Sequence, residues 1–152
     1  MENLRQFYIN GQWVNPVQAN DLQVENPATE EMVATISLGA AADVEAAVAA
    51  AKSAFPVYSQ LVVEERIALM EKLLQIYMDR YDEMASVIST EMGAPISFAS
   101  AAQADTGRGH ISTALEALKV YEFERQVLNT RIVKEPIGVC GFITPWNWPI
   151  NQ

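Results

Sequence analysis

Ile137-Gly138-Val139-Cys140-Gly141-Phe142-Ile143 runs without a charge into Thr144-Pro145-Trp146-Asn147-Trp148-Pro149. The first seven residues have the length and content of a buried strand, and Pro145, which has no N–H, forbids further ladder pairing. A strand this apolar calls for cover on both faces, as in a parallel sheet. Asn147 then falls on a loop just past the carboxyl end of a strand, where open α/β sheets bind their ligands. Nothing after it among the 152 residues supplies partner strands. The expectation is an α/β fold of which this chain is the front part, completed by further polypeptide rather than by a second chain. Pro149-Ile150-Asn151-Gln152 reads as the first turn of a helix, with proline near its start.

Ahead of this stretch the chain reads as strands, then helices, then strands. Phe7-Tyr8-Ile9 and Gln12-Trp13-Val14 flank Asn10-Gly11, the strongest short hairpin signal. Leu22 to Val24 and Met32 to Ile36 are expected as two further strands, separated by a turn at Asn26-Pro27-Ala28-Thr29. Val44, Ala47, Val48, Ala51 and Phe55 make one apolar helical stripe that should stop at Pro56, with Asp43 in the first turn. Ile67, Met70, Leu74, Tyr77 and Tyr81 form a second stripe. A third helix carries Met84, Val87 and Ile88 and should end at Gly93, with Pro95 beyond it. Ile96 to about Glu124 favours helix with a break near Gly107-Arg108-Gly109. Val127 to Lys134 is rich in strand formers.

Half of the residues are hydrophobic and 19% are charged, a globular profile for about one domain. A net charge of −9 and a pI near 4.5 argue against a nucleic-acid partner, which needs a basic face. No apolar run approaches the roughly 18 residues of a membrane span, so no membrane partner is expected. The first residues have neither the basic head nor the apolar stretch of a signal peptide. With one cysteine and no internal disulfide, a cytoplasmic, reducing setting is the expectation.

Asn147 offers amide N–H donors without charge, which suits a position where an oxygen becomes negative during reaction. On position alone, an asparagine satisfying loop backbone over two packed tryptophans is the simpler reading. Cys140, the only thiol, lies between Val139 and Gly141 in the expected strand with no cation near it, so a packed core cysteine is expected rather than a nucleophile. The lone histidine, His110, excludes a histidine-based metal cluster, and no metal is expected. Gly107-Arg108-Gly109 imitates a dinucleotide fingerprint, but helical residues precede it and a third glycine is missing. Glu91, in the last turn before a glycine cap, stays unassigned. The segment 127–134 reads equally as a strand that pairs with another subunit and as an edge strand blunted by Arg131 and Lys134.

Taken together, the pattern resembles the aldehyde dehydrogenase superfamily over nearly the whole chain. Tyr8-Ile9-Asn10-Gly11-Gln12-Trp13 and Asn26-Pro27-Ala28-Thr29-Glu30-Glu31 look like that family's opening hairpin and turn. Asp43 to Phe55 resembles its first helix, and Arg66 and Glu91-Met92-Gly93-Ala94-Pro95 match further landmarks. Most specific is Glu135-Pro136-Ile137-Gly138-Val139 leading into Pro145-Trp146-Asn147-Trp148-Pro149. The resemblance implies an α/β fold: the N-terminal part of the aldehyde dehydrogenase fold, with β-hairpins, helices and the start of the parallel Rossmann-like sheet, incomplete in this chain. It assigns residues 1–152 to the front of a dinucleotide-binding domain and 127–134 to an oligomerisation arm, with the catalytic domain absent.

The same resemblance implies oxidation of a small aldehyde to a carboxylic acid with NAD or NADP, through a thiohemiacetal and a thioester. Asn147 would donate to the oxyanion, Ile143, Thr144, Pro145 and Trp146 would border the cofactor, and the full-length protein would be a homodimer or homotetramer. Ala94 and Tyr58 stand where the family often has Lys and Trp. The larger departure is that the family's catalytic cysteine, general-base glutamate, glycine-bearing cofactor turn and ribose-contacting lysine all lie downstream, and Cys140 does not correspond to the nucleophile. An alternative is a non-catalytic assembly module whose signature would be mixed species with full-length subunits.

Overall fold

Asn10 and Gly11 both take positive φ, 53° and 76°, the backbone that a twist-matched two-residue hairpin turn needs. In the computed structural model, which describes residues 4–151, they join β1 (Phe7–Ile9) to β2 (Gln12–Val14) as an antiparallel ribbon with Tyr8 opposite Trp13. A second ribbon pairs β3 (Asp21–Asn26) with β4 (Glu31–Ser37), Asp21 opposite Ser37, with a bulge between Val24 and Glu25. Asn26 closes its turn: Oδ1 accepts from the Ala28 N–H at 2.9 Å and its carbonyl accepts from the Glu30 N–H at 2.8 Å. Both ribbons fall where the sequence puts them.

Helix α1 (Ala41–Tyr58) is entered through Asp43, which is only 6% exposed. Its Oδ2 accepts from the N-cap Ala40 N–H at 2.8 Å and its Oδ1 from the Val17 N–H at 2.9 Å. The carboxylate thus satisfies one orphan helix donor and ties the loop after β2 to the helix. The expected stop at Pro56 is not observed. In the last turn, proline forfeits only its own i−4 bond, and the Ser59 N–H still reaches the Phe55 carbonyl at 2.8 Å. The apolar stripe of α1 is only partly covered, with Val44 and Val48 exposed.

Helices α2 (Val63–Asp79) and α3 (Tyr81–Met92) follow, so Tyr81, expected as the end of the second stripe, opens the third helix instead. Gly93 ends α3 at φ 68°, as expected. From Ile96 the chain is helical to Val120: α4 (Ile96–Phe98), a π-helical stretch (Ala99–Ala104) and α5 (Asp105–Val120). The break expected at Gly107-Arg108-Gly109 is absent, and the irregularity sits one turn earlier, in the π stretch. Tyr77 and Tyr81 stabilise that widened turn by donating to the Ala104 and Ser100 carbonyls, both at 2.6 Å. A small core forms here from Ala85, Ile88, Ala99 and Ala104, with Tyr81, Met84, Met92 and Ile150 against it.

The single strand expected at 127–134 is instead a hairpin: β5 (Glu124–Val127) pairs antiparallel with β6 (Thr130–Val133), Glu124 opposite Val133. Leu128 and Asn129 turn the corner, Leu128 at φ 53°. The larger correction concerns Ile137 to Ile143. These residues are in neither helix nor strand, and Ile137, Phe142 and Ile143 are 93, 85 and 103% exposed. Cys140 is likewise exposed rather than packed in a core. The physical reason is the one the sequence raises: a strand needs a partner, and no strand among the described residues pairs with this segment. The whole chain accordingly exposes 11235 Å², where a self-contained monomer of 16.8 kDa exposes roughly 7,600 Å². Among the described residues no helix is long and apolar enough to cross a membrane, and no acidic, cysteine or histidine cluster could hold a metal.

Candidate active-site loop

The loop 144–151 is held at Asn147 and at several residues beyond it. At Asn147 itself, the carbonyl accepts from Gln103 Nε2 at 3.3 Å. Downstream, Trp148 packs edge-on against Phe98, ring centres 5.7 Å apart. Pro149 then takes the second position of a turn closed by the Asn151 N–H on the Trp148 carbonyl at 3.0 Å. The expected helical first turn is therefore a turn through Asn151, and Gln152 lies outside the described residues. Ile150 enters the core, and His110 Nε2 lies 2.8 Å from Asn151 Oδ1.

Two helix positions make this seat. Gly107 on α5 is buried, and a Cβ there would lie 2.3 Å from Ile150 Cγ2 and 2.5 Å from Tyr77 Oη. Gly107 serves close approach between helix and loop, neither of the roles its motif suggests. Gln103, in the π stretch, is 3% exposed, and its Oε1 has no hydrogen-bond partner among the described residues. Around the seat, burial, with Tyr81 and Asp105 nearby, pushes the Tyr77 phenol above its ordinary value, so it remains a donor to the Ala104 carbonyl. Asp105 is held below its ordinary value, chiefly by its hydrogen bond to Arg108.

The backbone of Asn147 is therefore pinned while its side chain is free. The residue is exposed, and its side-chain amide has no partner among the described residues. The two tryptophans divide: Trp148 packs, whereas Trp146 is 81% exposed. With Ile143, Thr144 and Pro145, Trp146 forms an uncharged exposed ledge. Below it a groove of about 530 Å³ runs between the loop and α3, lined by Met84, Val87, Met92 and Glu91. The structure brings Ile143, Thr144, Pro145, Trp146 and Asn147 into one continuous surface strip. Cys140 is exposed, and among the described residues its hydrogen bond is a 3.9 Å contact to the Gly138 carbonyl. Gln103 and Gly107 are the positions sequence reading misses. A lone amide inside Ala99-Ser100-Ala101-Ala102-Gln103-Ala104 is the signal for the first, since small neighbours let the backbone of another segment come close.

Residues 13–152 match the sequence model of the aldehyde dehydrogenase family. The chain belongs to the aldehyde dehydrogenase family. It is 47% identical over 153 aligned residues to a 3-succinoylsemialdehyde-pyridine dehydrogenase of a Pseudomonas species, covering all of this chain and 32% of that protein. The crystal structure of an aldehyde dehydrogenase from Bartonella henselae superposes with a TM-score of 0.96 at 45% identity, over 100% of this chain and 33% of the other. Aldehyde dehydrogenase C of Pseudomonas syringae, a mutant solved with NAD+ and octanal, gives 0.95 at 43% identity over 97% of this chain and 30% of its own. The chain thus spans about a third of the length of the aldehyde dehydrogenases it matches. Its fold is the N-terminal part of the aldehyde dehydrogenase fold, and the sheets among the described residues are two-stranded ribbons.

Proposed function

We propose that this chain is the front part of an NAD(P)-dependent enzyme that oxidises an aldehyde to a carboxylic acid, with Asn147 as the donor to the oxyanion. The observation that carries this reading is an exposed amide, without a partner among the described residues, on a loop whose backbone is fastened at Asn147 itself. When a thiol adds to the aldehyde carbon, the carbonyl oxygen becomes an oxyanion, and a fixed N–H stabilises it more than the neutral carbonyl that preceded it. Because the amide is uncharged, it holds the carboxylate product less firmly than Lys or Arg would. The thiol comes from polypeptide outside these 152 residues, because Cys140 is openly exposed and hydrogen-bonds only a backbone carbonyl among the described residues, not a base that would activate it.

The cofactor supplies the hydride acceptor when bound. Ile143, Thr144, Pro145 and Trp146 carry no charge and form an exposed ledge, which suits the flat nicotinamide end and not the phosphates. The phosphates belong to a glycine-bearing turn elsewhere, since Gly107-Arg108-Gly109 is mid-helix. Residues 1–152 then form the first part of the dinucleotide-binding domain. With NAD+ and a small aldehyde, the full-length polypeptide produces reduced cofactor, read by its absorbance, and the 152-residue chain alone does not. No turnover by the full-length protein with any of a panel of aldehydes overturns the assignment; turnover by the short chain returns Cys140 to the mechanism.

The arm at 127–134 is the subunit contact in this reading. Leu128 at its tip is 92% exposed and at φ 53°, so an apolar, bulky residue sits in a disfavoured backbone region with its side chain in water. A partner surface over the tip compensates both. Leu128→Lys in the full-length enzyme shifts the assembly toward smaller species, read by native mass spectrometry at matched concentration. An unchanged distribution removes the tip from the interface.

A further inference from the structure

We infer that Gln103 is a positioning residue for Asn147, setting through the loop backbone where the Asn147 amide points. The inference rests on the reading of Asn147 as the oxyanion donor. Gln103 is 3% exposed, and its Nε2 donates to the Asn147 carbonyl at 3.3 Å across 44 residues of sequence. The peptide that carries the acceptor belongs to the residue whose side chain does the chemistry, so moving that carbonyl moves the Asn147 Cα and the direction of its amide.

The orientation of the Gln103 amide is decided by chemistry. Turned over, Oε1 would face the Asn147 carbonyl, acceptor against acceptor. With Nε2 on Asn147 and, more weakly, on Met92 Sδ at 3.8 Å, Oε1 is left buried without a donor among the described residues. A buried acceptor without a partner is destabilising, and an apolar side chain of similar volume would fill the space without that loss. Packing alone therefore does not account for an amide here; the bond to the loop does.

Gln103 itself is placed by an unusual backbone. It lies in the π-helical stretch Ala99–Ala104, which turns more widely than an α-helix and so re-aims its side chains. Tyr77 and Tyr81 hold that stretch through the Ala104 and Ser100 carbonyls, and the Thr106 hydroxyl donates to the Gln103 carbonyl at 2.7 Å. The small residues around Gln103 let the loop approach near enough for the bond. The result is a rigid pedestal under one peptide of an otherwise exposed loop.

The test is a double-mutant cycle in the full-length enzyme, using turnover at saturating aldehyde and NAD+. Gln103→Met keeps the volume and removes the donor, and Gln103→Glu keeps the shape and, ionised, offers no donor; the second stands in where the first accumulates poorly. Either variant lowers kcat about tenfold with KM for NAD+ nearly unchanged, because misdirection of a catalytic group acts on the chemical step. In the Asn147→Ala background the same change alters kcat by less than about twofold, since there is no amide left to misdirect. An equal fold loss in both backgrounds makes Gln103 merely structural and overturns the inference, as does full activity of both variants with Asn147 intact. If Asn147→Ala alone leaves turnover unchanged, the reading of Asn147 fails first and takes this one with it.

Discussion

Asn147→Ala in the full-length enzyme lowers kcat by about 10²–10³, the usual loss on removing one oxyanion donor. The size follows from the geometry of the loop. The Asn147 side chain makes no hydrogen bond among the described residues, so truncating it breaks no bond that holds the fold. The loop keeps its other fastenings: Trp148 on Phe98, Ile150 in the core, and the turn closed by Asn151. Stability is therefore nearly unchanged and the loss falls on the chemical step, with KM for NAD+ within about twofold. Asn147→Asp falls at least as far, because a carboxylate would repel the charge that the amide is proposed to stabilise. Steady-state turnover on a fast-reacting aldehyde, with a thermal melt of each variant, decides the matter. Unchanged turnover removes Asn147 from the mechanism, and a loss matched by a collapsed melting temperature makes it structural.

The second large effect is on stability. Gly107→Ala destabilises the full-length protein by about 1–3 kcal/mol through overpacking. Two terms compete. Helix propensity favours alanine over glycine by about 1 kcal/mol inside a helix such as α5. Against it, the new methyl would sit 2.3 Å from Ile150 Cγ2 and 2.5 and 2.7 Å from Tyr77 Oη and Cζ. Neither neighbour gives way easily, since Tyr77 is held to the Ala104 carbonyl at 2.6 Å and Ile150 packs against the core. The clash wins. Gly109, two residues along the same helix, has open space around its Cβ, so Gly109→Ala follows propensity alone and stabilises slightly. Paired thermal denaturation of the two variants separates the terms. A melting temperature for Gly107→Ala at or above that of Gly109→Ala would sink the close-approach account.

Several elements were legible because their causes are local. Asn10-Gly11 turns a hairpin whatever follows it, since both residues accept positive φ. Asn26 closes its own turn with its own side chain, and Gly93 ends α3 in the left-handed conformation. The strip Ile143, Thr144, Pro145, Trp146 and Asn147 was also legible as one piece, because its members are consecutive. Other readings failed where the deciding partner is distant. Gly107-Arg108-Gly109 looks like a break, yet Tyr77 from α2 and Ile150 from the loop use the missing Cβ for contact. Val127 to Lys134 looks like one strand, yet Phe123 and Glu124 fold back on it: the Lys134 N–H reaches the Phe123 carbonyl at 2.8 Å. Pro56 looks like a stop, yet at the end of a helix its missing donor matters little.

The segment Ile137 to Ile143 separates the two levels most clearly. By itself the sequence determined that these residues are apolar on both faces and that Pro145 cannot continue a ladder, because those properties belong to single residues and their neighbours. A strand, however, exists only when another strand accepts its hydrogen bonds, and among the described residues none does. Tertiary structure alone decided that the segment is uncovered here, and that the Asn147 loop beyond it is nonetheless held. The hold comes from Gln103 and His110, which lie 44 and 41 residues from their loop partners Asn147 and Asn151. Such contacts depend on how α3, the π stretch and α5 pack, and no pattern of neighbouring residues encodes them.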